Sequence, residues 1–101
     1  MASKLYITEY EDPHSSASFP MQVGMEDGNS TDQVVDYSGG AAASAAFGAR
    51  TRFIRLHTDS ICSIKFGTAP TAATTNRRLA ANQTEYYGVR PGDKVSGIIN
   101  T

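Results

Sequence analysis

From Arg50 to Ile99 the sequence is a succession of short β-forming runs cut by turn signals, with no amphipathic helix of useful length between them. That spacing constrains the fold more than any other feature, because a short strand buries its apolar face only by pairing across the chain. Thr51 to Thr58 reads as a strand with Ile54 and Leu56 on one face. Asp59-Ser60 reads as a tight turn. Ile61 to Phe66 then returns, with Cys62, Ile64 and Phe66 on one face and Ser63 and Lys65 on the other, which is a β-hairpin pattern. Gly67 to Asn76 is a polar, Thr-rich loop in which Pro70 argues against helix, and Leu79 anchors a short extended piece. Glu85 to Val89 is a strand. Arg90-Pro91-Gly92-Asp93 places Pro and Gly in the order of a type II turn, and Lys94 to Ile99 is the last strand.

The first half is less regular. Lys4 to Tyr10 alternates and is rich in β-formers. Glu11 to Asp32 carries Pro13, Pro20, Gly24, Gly28 and many Ser, Asn and Asp residues, and reads as loop. Its apolar residues Phe19, Met21, Val23 and Met25 alternate, as in a short strand or a docking arm. Gln33 to Tyr37 is a further strand candidate. Gly39 to Ala49 is low in complexity; Ala favours one helical turn, whereas the bracketing glycines favour a tight, small-residue loop. The fold expected is all-β: an antiparallel β-sandwich or small barrel with an extended, loop-rich N-terminal region.

With 101 residues the chain is expected to form one domain, residues 1–49 supplying strand and arm and 50–101 the sandwich core. A net charge of −1, from nine Lys and Arg against ten Asp and Glu, gives no basic footprint for nucleic acid. The acids are clustered, however: Glu9 to Asp36 holds seven and no Lys or Arg, while Arg50 to Lys94 holds most of the bases. Cys62 is the lone cysteine, so no intrachain disulfide forms. No apolar run approaches the roughly 18 residues that span a membrane. Met1-Ala2-Ser3-Lys4 lacks the apolar core of a signal peptide, so synthesis in a reducing cytosol and stabilisation by oligomerisation are expected.

Residue types able to do chemistry are present without the spacing that chemistry requires. His57, Asp59, Ser60 and Cys62 suggest a nucleophile and base, yet no glycine elbow surrounds Ser60 and Cys62 lies beyond a turn. Asp12 and His14, with Glu9 and Glu11, have no recognised metal-ligand spacing. Gly67, Gly88, Gly92 and Gly97 are too dispersed for a phosphate loop, and read as turn and close-packing glycines. Asn29-Ser30-Thr31 and Asn82-Gln83-Thr84 match a glycosylation sequon. No enzyme activity, cofactor or metal is expected. Tyr86-Tyr87 puts one tyrosine on each face of a strand, one for the core and one as an exposed anchor; Tyr and Arg are enriched at interface hot spots. The chain has no Trp, which counts against sugar recognition.

Residues 50 to 99 carry a resemblance. The strand FIRLHTDS, its partner ICSIKFG, the P-T-A loop, the run LAANQTEYYGV and the turn-strand PGDKVS are similar to those of small virion proteins of tailed bacteriophages. Among these the chain most resembles a head decoration, or cement, protein. The resemblance implies a β-sandwich or jelly-roll domain on the capsid exterior, made in the bacterial cytoplasm. It also implies a dimer or trimer that binds the major capsid protein lattice and stabilises the head. Another virion component (tail, neck or fibre) and a carbohydrate-binding β-sandwich module are the alternatives. The interface residues expected are Leu5, Tyr6, Phe19, Met21, Val23, Met25, Phe47, Arg77, Arg78 and Tyr87.

Overall fold

The structure, a computed structural model, describes residues 3–11, 13–16, 19–24 and 31–100, with backbone alone for 13–16 and 19–24. The described residues form ten strands and no helix. They are β1 (Lys4–Tyr10), β2 (Pro13–Ser16), β3 (Phe19–Gly24), β4 (Thr31–Asp36), β5 (Ala42–Ala43), β6 (Phe53–Thr58), β7 (Cys62–Gly67), β8 (Arg77–Leu79), β9 (Thr84–Gly88) and β10 (Lys94–Ile99). One four-stranded sheet has the order β4-β1-β6-β9 and a second the order β5-β10-β7-β8; β2 and β3 pair apart from both as a ribbon. Every pairing is antiparallel.

The period-two alternation of the strands decides which face is buried. Leu5 and Ile7, Val35, Ile54 and Leu56 turn inward from the first sheet. Cys62 and Ile64, Leu79 and Val95 turn inward from the second, and all join one core cluster with Tyr37 and Phe47 from the connections. Burying each of the larger aliphatic side chains contributes about 1.5–3 kcal/mol. The two sheets approach closely at Gly97, where a Cβ would stand 2.9 Å from Leu5 Cδ1. A side chain here has no room, which accounts for glycine inside a central strand.

Several expectations hold in detail. β1, β6 and β10 fall where the alternation places them, and Leu79 is buried on the short strand β8. At Arg90–Asp93 the Asp93 N–H donates to the Arg90 carbonyl at 3.2 Å, and Gly92 has φ 85°, the type II geometry.

The expected hairpin between β6 and β7 does not form. β6 pairs with β1 and β9, whereas β7 pairs with β10 and β8, so the Asp59-Ser60 turn carries the chain from one sheet to the other. A two-residue hairpin turn wants positive φ, and neither Asp59 nor Ser60 adopts it. The crossing is pinned instead: Tyr37 Oη and Thr58 Oγ1 lie 2.6 Å apart, and both hydroxyls bond the Ser60 carbonyl, at 2.9 and 2.8 Å. Burial at the start of β7 also departs from strict alternation. Ser63, expected on the polar face, is fully buried, and its Oγ accepts from Asn100 Nδ2 at 2.7 Å. The Gly39 to Ala49 stretch has no helical turn; Ala42–Ala43 pairs with Gly97 and Ser96 at the edge of the second sheet. Within the expected loop from Glu11 to Asp32 the chain forms the β2–β3 ribbon.

Candidate interaction surface

The outer face of the first sheet follows from the register. Positions alternating with the core residues line up across the four strands in two rows. One row is Val34, Tyr6, His57 and Thr84; the next is Asp32, Thr8, Arg55 and Tyr86. Tyr10 and Phe53 follow beside them, and β3 lies near β6.

This face gathers the large apolar side chains left outside the core. Among the described residues the exposed large hydrophobics are Tyr6 (40 %), Val34 (54 %) and Tyr86 (41 %), and all three project from it. The aromatic rings are set against neighbours. Phe53 stacks on Tyr86 with centroids 5.6 Å apart and planes 22° from parallel, Tyr6 lies 6.3 Å from the His57 ring, and Tyr10 lies 6.1 Å from Phe53. His57 Nδ1 is 2.7 Å from Thr84 Oγ1, and Thr8 Oγ1 donates to Asp32 Oδ1 at 2.7 Å. Rings held this way lose little side-chain freedom on binding, which favours them as contact residues.

Charge on the face is divided by strand. β4 presents Asp32 and Asp36, β6 presents Arg55 and His57, and β1 runs between them with Lys4, Tyr6 and Thr8. The Asp36 carboxyl is held below the usual carboxylate range, because Ser38 donates to it from both hydroxyl (2.6 Å) and backbone N–H (3.0 Å), with Lys4 adding a smaller share.

The interface residues expected from the sequence are dispersed. Tyr6 is on the exposed face. Leu5 (0 % exposed) and Phe47 (3 %) are core residues, because their inward positions meet the opposite sheet; neither side chain reaches a surface. Phe19, Met21 and Val23 lie on β3 of the ribbon, and Met25 lies outside the described residues. Arg77 and Arg78 lie on β8 rather than in a loop, both exposed. The Arg77 guanidinium stands 5.3 Å from the centre of the Tyr87 ring. Of the tyrosine pair, the exposed anchor is Tyr86. Tyr87 is half-buried, packs 5.1 Å from Phe66, and has its phenol pushed above its ordinary range by burial and then by the Glu85 carboxylate. Val34, Phe53 and Arg55, and Tyr86 as the exposed member of its pair, lie on this face although none is among the interface residues expected from the sequence. The signal that finds them is the register itself, which puts them beside Tyr6.

The groups that suggested chemistry are separated. His57 faces outward against Tyr6 and Thr84, while Cys62 is buried in the core, its thiol 3.4 Å from Thr58 Oγ1. Ser60 Oγ accepts from Ser3 Oγ at 3.1 Å. Glu9 is occupied by neutral donors of the fold: Thr51 Oγ1 and the Gly48 N–H at 2.8 Å, and Gln33 Nε2 at 3.0 Å. Asp12 lies outside the described residues, and only the backbone of His14 is described. Among the described residues no three His, Cys, Asp or Glu side chains cluster to hold a metal ion. A separate open depression of about 530 Å³ is lined by Arg52, Phe66, Gly88, Val89, Arg90 and Asp93, with no nucleophile beside a base.

Comparison with protein-family models, curated proteins and solved structures finds no match to this chain.

Proposed function

We propose that the chain is a structural protein of a tailed-phage particle, a head decoration protein that binds the major capsid protein lattice from outside and stabilises it. The observation that carries this reading is the gathering of Tyr6, Val34 and Tyr86 on one sheet face, beside Arg55. Exposed apolar side chains scattered singly need no explanation, whereas several on one face, with Phe53 and Tyr10 rings beside them, point to an interaction site. The sequence resemblance over residues 50 to 99 supplies the kind of assembly. The β2–β3 ribbon, with Phe19, Met21 and Val23, is the arm that adds contacts to the lattice. Many modest contacts repeated over a lattice hold firmly through avidity.

The finer fold in this reading is a jelly roll built around a β-sandwich. The pairs β4–β1, β5–β10, β6–β9 and β7–β8 nest as one long hairpin folded over, provided β1 is counted after β10. Two interleaved Greek keys have this nesting.

Stoichiometry tests the function. Purified particles run on a denaturing gel are expected to hold this chain in an amount comparable to the major capsid protein. A handful of copies per particle moves the protein to the tail, neck or fibre, and absence from the particle removes the virion reading.

A second reading has one observation in its favour. Phe53 and Tyr86 stack beside Thr84 and Glu85 in a shallow depression, an arrangement onto which a sugar ring can lie. Glycan-array binding that is lost in Tyr86→Ala would establish it.

A further inference from the structure

We infer that the depression between the ends of β7 and β9 is a binding site for an extended acidic segment of another protein, which pairs its backbone with Phe66 and lays a glutamate side chain between Arg52 and Arg90. The site is separate from the outer face of the first sheet, and the inference stands without the decoration reading.

The pairing of β7 leaves a place for such a segment. The Asn100 N–H donates to the Ile61 carbonyl at 3.1 Å, so the odd-numbered residues of β7 turn their backbone groups to β10 and the even-numbered ones away from it. Cys62 and Ile64 turn theirs to Leu79 and Arg77 of β8. Phe66 is next in that series, but β8 does not reach it. The chain leaves the ladder at a turn in which the Asn76 N–H donates to the Ala73 carbonyl at 2.9 Å and the Ala73 N–H to Asn76 Oδ1 at 2.7 Å. Among the described residues nothing bonds the Phe66 N–H or carbonyl. A donor and an acceptor on one open strand edge are what the backbone of an added strand satisfies.

The side chains select a glutamate. A residue opposite Phe66 in an antiparallel ladder puts its side chain on the face that Phe66 uses, which is the inner one, towards the depression. Phe66 and Val89 pack against the core and form the apolar part of the lining. Arg52 and Arg90, both exposed, form the cationic part. Arg52 continues the inward series of Ile54 and Leu56, and its carbonyl accepts the Val89 N–H at 3.0 Å, which fixes β9 beside it. Among the described residues neither guanidinium lies within ion-pair distance of an acid. The methylenes of a glutamate match Phe66 and Val89, and its carboxylate matches the two guanidiniums. Asp93 also lines the depression, so two arginines against one acid leave one net positive charge. That suits a carboxylate and not a phosphate group of about −1.5 to −2. At about 530 Å³ the depression has room for the side chain and part of its neighbours.

The test is a fluorescence-anisotropy titration of the full chain with a short end-capped peptide in which a single glutamate is flanked by valine and threonine. The wild type is expected to bind it, and exchange of the glutamate for glutamine to weaken binding roughly tenfold or more. Arg52→Gln and Arg90→Gln are expected to weaken it likewise. Lys65→Gln, which removes an exposed charge from the other face of β7, is expected to leave it unchanged. Thermal unfolding of each variant separates loss of fold from loss of contact. A peptide N-methylated at the glutamate keeps the carboxylate but cannot donate to the Phe66 carbonyl, and is expected to lose binding. Amide exchange followed by NMR is expected to show the Phe66 N–H slowed by the unmethylated peptide.

A wild type that does not bind, or a glutamine peptide or arginine variant that binds as well as the original, overturns the site. An N-methylated peptide that binds as well, or free acetyl-glutamate that binds as tightly as the peptide, makes the depression a site for small carboxylates and overturns the added strand. The virion gel reads the decoration role by itself, so either inference can fail while the other stands.

Discussion

Glu9 and Thr51 are joined across the first sheet by a 2.8 Å hydrogen bond from the threonine hydroxyl to the buried carboxylate. The same oxygen takes the Gly48 N–H, and the other takes Gln33 Nε2. One side chain of β1 therefore ties β4 and the 48–51 turn to the sheet.

Glu9→Ala leaves these donors without their acceptor. Of the three donors only Thr51 is buried, and a buried polar group left unpaired costs about 1–3 kcal/mol, so a loss of that size is expected. Glu9→Gln keeps an acceptor and is expected to lose less. Urea unfolding midpoints of the two variants, compared with the wild type, check the order.

Gly97→Ala is expected to destabilise by about 1–3 kcal/mol, the usual range for overpacking. The added methyl meets Leu5 Cδ1 at 2.9 Å, and Leu5 is fully buried with Tyr37 alongside, so it has little space to move. Leu5→Val on the same background trims the obstructing side chain. Thermal denaturation should show the double variant recovering part of the loss.

Tyr37 makes the fold sensitive to strong alkali. Burial, the largest influence, raises its phenol above the ordinary value of 10.0; the Thr58 hydroxyl and the Ser60 backbone act in the opposite sense, and the Cys62 thiol raises it further. The neutral phenol is the form the fold prefers. Its contribution is fully present below the unfolded value and disappears as pH rises through the raised one. Unfolding free energy should therefore be insensitive to this group at neutral pH and fall above pH 10.0. Tyr37→Phe is expected to abolish that part of the decline and to cost about 1–2 kcal/mol at neutral pH for the lost hydrogen bonds. A tyrosinate absorbance titration, run beside urea unfolding at each pH, checks both statements.

The nested strand pairs suggest a rearranged chain. The Asp59 N–H donates to the Lys4 carbonyl at 3.1 Å, and the Asn100 N–H donates to the Ile61 carbonyl at 3.1 Å. Both ends of the two-sheet body are thus held by the same turn. A short Gly/Ser linker from Asn100 to Ser3, with the chain opened between the exposed Gly39 and Gly40, is expected to give a permutant with native-like circular dichroism and cooperative unfolding. A permutant that is soluble but unfolded would refute the nesting of β1 beside β4 as a self-sufficient pair.

Where alternation ran unbroken, the sequence was legible. Ile54 and Leu56 are on the inner face as their spacing requires, and Pro91-Gly92 makes the turn its chemistry dictates. Pairing partners were not legible, because alternation says which face is buried and not which sheet a strand joins. The crossing after Thr58 depends on Tyr37, distant in sequence by 21 residues. The choice between Tyr86 and Tyr87 shows the same limit: a shift of one residue exchanges the two faces of a strand, and neighbouring tyrosines give no local reason to prefer either. The outer face of the first sheet was half legible, since Tyr6 marks it while Val34, Phe53, Arg55 and Tyr86 join it only through the register.

The anchoring of Ser3 and Asn100 at one turn also gives the molecule two poles. β1 leads from that turn to Tyr10 and on to the β2–β3 ribbon, about 20 Å away along the strand. Ser3 and Asn100 therefore stand at the pole opposite that end of β1, so a label attached at either residue leaves the ribbon's side of the molecule open.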